Sequence, residues 1–314
     1  MTKKRRHHYV SRYYLRPWAY NDKIWCRMGG VPFCSNLMGV AQRRDFYKLK
    51  ELTLEDIRFL DAFINKIESD FLMEINKGWV YSFNMLFEFQ KYLDSNEIHE
   101  EQVRAHLDEL KHNLEENLHT AIEESGKPYL EDILQENISF FRTEKGCMDF
   151  IYYLSVQYVR TERQKQKTIA ALNMVPNSFG VKFERIWNVI THIIATNVGW
   201  NLYALRENYQ MILLKNNSSL EYITSDQPVI NTYSSGLKDE APEWIDMYYP
   251  VSPNLAVYLT DRPEWKNLER VELAESDVDR FNIMIVEKMN KQLFASQKVS
   301  LLRYALGNEN ECQD

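Results

Sequence analysis

Two adjacent histidines begin a run of alternating aromatic and basic residues near the start of the chain. The run extends from His7 and His8 to Trp18, and Arg16 lies within it. A histidine can serve as general base or acid near neutral pH, and an arginine can hold a phosphate group through paired hydrogen bonds. Terminal basic runs are commonly solvated. On residue types alone, the run is therefore more typical of a basic tail that leads into an aromatic edge strand.

A carboxylate stands where a predicted strand of the C-terminal half breaks. Residues 222–229 have the sequence Y-I-T-S-D-Q-P-V, with Ser225 and Asp226 at the break. Ligand sites often form at strand ends. Asp226 is therefore a candidate to orient a histidine or to hold a divalent ion, and Ser225 is a candidate phosphate contact or nucleophile. An Asx-type turn ahead of Pro228 explains the pattern equally well.

A glutamine and an arginine share one face of a predicted helix in the middle of the chain. Gln157 and Arg160 are three residues apart and follow an apolar aromatic stretch. An unpaired charge in such surroundings would be costly, so Arg160 is expected to reach Asp226 or a ligand phosphate. The equal alternative is that Arg160 begins the exposed end of the helix, since several charged residues follow it.

Charged residues also precede the first predicted helix. Arg43 could hold a phosphate group, and Asp45 could add a second carboxylate as a metal ligand. A structural salt bridge is the favoured interpretation of this pair.

Other histidines do not have metal-binding spacing. His99, His106, His112 and His119 are seven, six and seven residues apart, so no three share one helical turn. The i, i+4 histidine pair of the H-E-x-x-H motif is missing. We expect these four at the surface and His192 in the core or at a helix cap. Phosphate-loop, dinucleotide-binding, nucleophile-elbow and kinase motifs are also missing from the sequence.

The elements that must position these residues predict one composite α+β domain over residues 1–314. Extended segments cover residues 9–49, helices cover 53–207, and strands with a closing helix cover 209–300. Because isolated two-stranded hairpins are marginal in water, the N-terminal strands should join the C-terminal ones. The prediction is a mainly helical core with a small mixed or antiparallel sheet, which brings residues 7–47 near residues 222–260.

Several element boundaries follow from local signals. A hairpin is predicted around Gly29 and Gly30, and a capping box begins a helix at Thr53. Gly126 and Pro128 are expected to end a long charged helix. Residues 231–246 are predicted to form a polar loop, and residues 276–296 form the predicted closing helix.

Composition limits the classes of partner and compartment. Of 314 residues, 45% are hydrophobic and 26% charged, which is ordinary globular composition. The net charge of -7 implies that nucleic acid or a nucleotide could bind only at a locally basic face. Four cysteines lack zinc-ribbon or redox spacing. No apolar run is long enough to span a membrane, and the charged start lacks a signal-peptide core, so we expect a cytoplasmic protein.

Several of these motifs, taken in order, resemble the microbial domain of unknown function 4238 family. Its members open with His-His-Tyr-Val-Pro, then aromatics and Leu-Arg, and continue with Asp-Phe-Tyr, Gln-x-x-Arg-Thr, Ile-Thr-Ser-Asp-Asn-Pro-Val and Tyr-Pro-x-Ser-Pro. The matching segments here are 7–18, 45–47, 157–161, 223–229 and 249–253.

The resemblance spans nearly the whole chain and implies a histidine and an aspartate as the functional pair. Carried onto this sequence, the pair is His8 (or His7) and Asp226. Ser11 stands where the family has proline, and Gln227 stands where it has asparagine. The second departure puts in doubt any role of a side-chain amide at that position. No settled reaction comes with the family.

Two hypotheses follow. The first is a hydrolase of phosphodiester bonds, a nuclease of a toxin or defence type, with His8 as general acid or base and Asp226 as its partner or as a ligand of a divalent metal. Arginines would stabilise the phosphate charge, namely Arg16, Arg43 and Arg160. The second is a module that binds a nucleotide, another small anion or a protein partner through the same cluster without turnover. Sequence leaves the metal and the oligomeric state open.

Overall fold

The computed structural model describes residues 3–175, 180–233 and 244–304. Most of the predicted polar loop at 231–246 lies outside these residues, as does Cys312. The described helices are α1 Arg12–Leu15, α2 Leu54–Ile64, α3 Asp70–Ser95, α4 Glu101–Leu134, α5 Glu144–Val159, α6 Glu162–Asn173, α7 Phe183–Ala204, α8 Glu275–Lys288 and α9 Lys298–Arg303. The described strands are β1 Arg6–His8, β2 Lys23–Arg27, β3 Phe33–Asn36, β4 Gln42–Arg44, β5 Gln210–Asn216, β6 Thr224–Ser225, β7 Ile230–Asn231, β8 Met247–Pro250, β9 Leu255–Thr260, β10 Arg270–Leu273 and β11 Leu293–Ala295.

Strands from both ends of the chain share one sheet, so the α+β prediction is confirmed. The predicted hairpin is β2 and β3, which pair antiparallel. In the four-stranded sheet the order is β3-β2-β11-β6, so β2 pairs with a strand almost 270 residues later. A second, five-stranded sheet with order β10-β5-β9-β8-β7 comes from the C-terminal region, and β1 pairs with β4 separately.

Buried side chains hold the N-terminal segment on the C-terminal strands. The Trp18 Nε1–H donates to the Tyr222 carbonyl oxygen at 2.7 Å, and the Tyr14 hydroxyl donates to the Pro250 carbonyl oxygen at 2.8 Å. The same Tyr14 ring stacks on Tyr249, with centroids 4.8 Å apart. These contacts bring residues 7–47 against the strands around residues 222–260, as expected.

The helical region begins at the predicted capping box. The Thr53 hydroxyl accepts from the Asp56 backbone N–H at 3.3 Å, and the Asp56 carboxylate accepts from the Thr53 N–H at 2.8 Å. The following helices pack so that α5 lies against α4 and α7. No helix within the described ranges is long and apolar enough to cross a membrane.

The predicted end of the long charged helix at Gly126 and Pro128 is wrong, because α4 continues to Leu134. Pro128 removes one backbone donor, but Leu130 and Ile133 beyond it are buried in the core and hold the helix in place. Gly126 has a packing role, since a Cβ there would lie 2.3 Å from Tyr153 Cδ2. Propensity is overridden by tertiary contacts here.

The C-terminal prediction also needs correction. The closing helix α8 ends at Lys288, and residues 293–295 form β11 instead of helix. The Leu293–Ala295 segment is fully buried between β2 and β6. A short apolar run cannot be assigned to helix or strand by pattern alone, and here pairing with both neighbours decides it. Of the strand predicted ahead of the break at Ser225 and Asp226, the structure keeps only the two-residue β6.

Candidate functional site

The predicted site residues fall into two separate groups. His8 and Arg16 lie in the wall of an open polar pocket between the N-terminal segment and α4. Ser225 ends β6 beside β11, and Asp226 follows it in a turn, with both residues fully buried. Among the described residues, no hydrogen bond or ion pair joins Asp226 to His7, His8 or Arg160.

The pocket has a volume of about 210 Å³. It combines one histidine of the N-terminal pair with cationic and acidic side chains and with one histidine of α4. Its wall is formed by His8, Ser11, Arg12, Tyr13, Arg16, Glu116, His119, Thr120, Glu123, Glu124 and Lys127. Its mixture of an imidazole, carboxyl groups and cations suits proton transfer near an anion.

His8 has a neutral imidazole with one unengaged ring nitrogen. Burial and the nearby Arg12 guanidinium lower the pKa of His8 to about 4, so its imidazole is neutral at pH 7. The Nε2 atom is buried and has no hydrogen-bond partner among the described residues. Burial also raises the pKa of Glu116, in the same wall, to about 7.

Arg160 supports the N-terminal segment instead of pairing with Asp226. Its side chain is fully buried. Nε donates to the Tyr9 carbonyl oxygen at 3.1 Å, and Nη2 donates to the His8 carbonyl oxygen at 3.0 Å and to Glu123 Oε1 at 2.6 Å. The expected reach toward Asp226 is not formed. Arg160 therefore positions the backbone of His8, while the buried Gln157 Nε2 has no partner among the described groups.

His7 is engaged on both ring nitrogens. Its Nδ1 accepts from the Tyr47 backbone N–H at 2.7 Å, and Nε2 lies 2.9 Å from the Lys4 carbonyl oxygen, to which it must donate. Burial lowers the pKa of His7. These bonds require a neutral ring, which links β1 to the segment after β4. Of the two histidines, only His8 has a buried ring nitrogen without a hydrogen-bond partner among the described residues.

Asp226 ties its turn to the chain that leads into β11. Oδ1 accepts from the Asn290 N–H at 2.8 Å and Oδ2 from the Lys291 N–H at 2.9 Å. Burial raises the pKa of Asp226 to about 6, against the opposing effect of these bonds. Ser225 Oγ donates to the Gln227 carbonyl oxygen at 3.0 Å. The carboxylate and hydroxyl both serve the local backbone.

The motifs at 157–161 and 223–229 do meet, but through other residues. The Thr161 hydroxyl hydrogen-bonds to Gln227 Oε1, and the Gln227 Nε2 donates to the Tyr158 and Val229 carbonyl oxygens at 3.0 and 2.7 Å. The side-chain amide at 227, which departs from the family pattern, thus connects the end of α5 to the turn.

Arg43 and Asp45 lie outside the pocket wall. Arg43 is exposed, and its guanidinium pairs with Glu162 Oε1 at 2.5 Å. This contact is a structural salt bridge. Asp45 has a left-handed backbone (φ 54°), and its Oδ2 is 3.5 Å from Arg44 Nε. The Arg43–Glu162 pair links β4 to α6, whereas Asp45 Oδ1 has no hydrogen-bond partner among the described residues.

A cluster of ionisable side chains that was not predicted from the sequence lies behind the pocket. Glu115 and His119 on α4 face His192 on α7, and all three are at most 2% exposed. The expectation that His119 lies at the surface is wrong, and His112 is also buried. The signal was the spacing of Glu115 and His119, since residues at i and i+4 share one face of a helix. One member of this pair is a glutamate, so the pair does not match a histidine-pair motif.

The cluster has its polar atoms close together and unused. Glu115 Oε1 lies 3.6 Å from His119 Nε2 and 3.7 Å from His192 Nε2. Neither carboxylate oxygen and none of the four ring nitrogens has a hydrogen-bond partner among the described residues. The nearby Asn188 amide donates to the Tyr47 carbonyl oxygen at 3.1 Å, and its proximity to Glu115 opposes part of the effect of burial on the pKa of that carboxyl group. Carboxylate and imidazole groups in this arrangement could hold a metal ion.

Burial controls the protonation of this cluster. It raises the pKa of Glu115 well above its usual range, lowers that of His119 well below, and lowers that of His192 to about 3. Both imidazoles are therefore neutral at pH 7, which is the form that binds metal ions.

Comparison with known proteins gives a match to a family model. The model described as "Protein of unknown function (DUF4238)" matches residues 6–299. No curated protein and no solved structure matches the chain.

Proposed function

Since the chain belongs to the DUF4238 family of proteins of unknown function, whose description assigns no reaction, we propose a function from the geometry: hydrolysis of a phosphodiester at the pocket between the N-terminal segment and α4. The observation that carries this proposal is the neutral His8 imidazole, with an unpartnered Nε2, in a wall that also contains Arg12 and Arg16. Lys127, a third cation of this wall, is paired with Glu124. A base beside cationic side chains is a combination that can support phosphoester hydrolysis.

His8 is the proposed general base. Its ring is neutral above about pH 4, so it can take a proton from an attacking water without first losing one. Glu116 offers the second group in the pocket that can transfer a proton. Arg160, through its bond to the His8 carbonyl oxygen, is a positioning residue.

Arg16 is the proposed phosphate contact. It is exposed in the pocket wall, its guanidinium lies 5.8 Å from the Tyr13 ring, and it forms no ion pair among the described residues. Glu123, by contrast, is neutralised by Arg160 at 2.6 Å. The Arg16 guanidinium is therefore available to attract an anion, while Arg160 offsets the repulsion from the Glu123 carboxylate.

Pocket size favours a substrate that enters with one phosphate group. At about 210 Å³, the volume is below the range of roughly 300 to 1,000 Å³ that encloses a whole drug-sized ligand. The remainder of the substrate would lie outside the pocket, as a nucleic acid strand can. This supports a nuclease-like substrate over an enclosed mononucleotide.

The second candidate is a module that binds an anion without turnover. Its support is that no described hydrogen bond joins His8 to a carboxylate, and that both His7 and Asp226 are engaged in structural bonds. The same pocket would then hold a phosphate group, and substitution of Arg16 would weaken binding in either case.

The test is hydrolysis of single-stranded RNA, single-stranded DNA, duplex DNA and bis(p-nitrophenyl) phosphate by the full chain. His8→Ala should lower kcat/KM by about 10² to 10⁴, and Arg16→Ala should mainly raise KM. The matched controls are His99→Ala and Arg58→Ala, which are exposed positions away from the pocket. Asp226→Ala should lower stability and leave kcat/KM of the folded fraction unchanged.

Full activity of folded His8→Ala would contradict the assignment. Saturable binding of a non-cleaved oligonucleotide that depends on Arg16, with no turnover of any substrate, would establish the binding module instead.

A further inference from the structure

The Glu115–His119–His192 cluster contains more unsatisfied polar atoms than a protein core normally tolerates. Both carboxylate oxygens and all four ring nitrogens are buried without a hydrogen-bond partner among the described residues. Buried polar groups in native proteins are almost always satisfied, so such a group indicates a bound ion or water.

The distances within the cluster favour an ion over direct hydrogen bonds. The separations of 3.6 and 3.7 Å from Glu115 Oε1 to the two Nε2 atoms are longer than the 2.7 to 3.2 Å that is typical of N–H···O hydrogen bonds. Ligands of a tetrahedral Zn²⁺ at about 2.0 to 2.1 Å from the metal are about 3.4 Å apart. One ligand atom of each residue lies within 4.8 Å of the other two. A small inward movement would complete the coordination.

We propose that Glu115, His119 and His192 bind one divalent transition-metal ion, with Zn²⁺ as the best fit. Two imidazoles and a carboxylate are ligands that zinc prefers, and three protein ligands leave a fourth position open. Glu115 and His119 are one turn apart on α4, and His192 is supplied by α7.

Aromatic rings enclose the proposed site. Trp79 and Phe83 of α3 stack on His192, with ring centroids 4.7 and 5.3 Å apart. Tyr47 packs on His119 at 4.4 Å. Such a shell fixes the orientation of both imidazoles and limits solvent access, which controls the chemistry of a bound metal.

His119 belongs both to this cluster and to the pocket wall. The metal site would therefore lie directly behind the pocket. The inference itself does not rest on the proposed hydrolysis, because it is drawn from burial, distances and unsatisfied atoms alone.

The experiment measures the metal content of the full chain, purified without a metal-affinity step, by inductively coupled plasma mass spectrometry. Wild type should retain about one equivalent of Zn²⁺ per chain. His119→Ala and His192→Ala should each lower the content roughly tenfold or more. The matched control is His106→Ala, an exposed histidine on the same helix, which should keep its metal. Co²⁺-loaded wild type should show the visible absorption of a tetrahedral site, and the two variants should not.

A measurement on wild type alone guards against misfolding of the variants. After removal of metal by a chelator, Zn²⁺ at about 100 times its dissociation constant should raise Tm by roughly 5 °C. Wild type with less than roughly a tenth of an equivalent and no Tm shift with Zn²⁺, Co²⁺ or Mn²⁺ would overturn the inference. Metal retained by both folded ligand variants would overturn it as well. Neither readout involves substrate, so failure of the proposed hydrolysis would not affect them.

Discussion

At the scale of residues, neighbouring side chains of the same type have opposite tasks. His7 uses both ring nitrogens to hold backbone, whereas the Nε2 of His8 is buried and unpartnered. The two carboxylate oxygens of Asp226 likewise accept hydrogen bonds from backbone N–H groups. Residue type therefore identifies candidates, and the hydrogen bonds separate those that support the fold from those that remain available for chemistry.

The protonation of His8 can be tested directly. Its pKa should lie near 4, because burial and then Arg12 disfavour the charged ring, and Arg12→Gln should raise it. In the interval between the unfolded value of about 6.5 and 4, the unfolded chain binds this proton and the folded chain does not. His8 therefore lowers the free energy of unfolding as the pH falls through that interval.

The measurement is an NMR titration of the His8 ring protons in wild type, Arg12→Gln and the control Arg58→Gln. Titration of wild-type His8 at its ordinary pKa would mean that water enters the pocket freely. That result would contradict the assignment of His8 as a buried general base.

At the scale of elements, the approach of α4 to α5 depends on one glycine. A Cβ at Gly126 would lie 2.3 Å from Tyr153 Cδ2, closer than real side chains approach each other. Tyr153 is buried, and its hydroxyl lies 3.2 Å from that of Tyr249. The ring has nowhere to move without disturbing the sheet.

Gly126→Ala should therefore lower the free energy of unfolding by about 3 kcal/mol through overpacking. Gly78→Ala in α3 is the matched substitution, because nothing lies within 4 Å of its Cβ position. It should raise stability by roughly 0.5 to 1 kcal/mol through helix propensity. Urea denaturation of the two variants checks both signs, and equal effects would show that α4 and α5 are not in close contact.

At the scale of the whole molecule, the two ends of the chain complete one structure. The pairing of β2 with β11 and the Trp18–Tyr222 bond join residues about 200 or more positions apart. Arg160, at the end of α5, bonds the backbone of residues 8 and 9 and so links the helices to the N-terminal segment.

We expect the helical and sheet regions to unfold together. Far-UV circular dichroism follows mainly the helices. In a variant that keeps Trp18 and Trp25 and has its other tryptophans replaced, the fluorescence reports on the sheet. The two urea midpoints should coincide, since neither region keeps its buried surface without the other. Separate midpoints would divide the chain into two domains.

Much of the fold could be predicted from local pattern. The hairpin around Gly29 and Gly30 and the capping box at Thr53 follow from signals within a few residues, and the structure confirms them. The joining of both chain ends followed from the marginal stability of an isolated hairpin. The predicted helix end at Pro128 and the predicted continuation of the closing helix past Lys288 are both wrong, because burial of the later residues outweighs local propensity.

The sequence by itself determined the α+β class, the family and the list of polar candidates, because these depend on residue type and periodicity. Only the tertiary structure decided which candidates meet. Arg160 pairs with Glu123 and not Asp226, and Glu115 meets His192 from 77 positions away. Contacts between helices depend on crossing and burial, which single-chain spacing does not encode, so the pocket and the cluster behind it appear only in three dimensions.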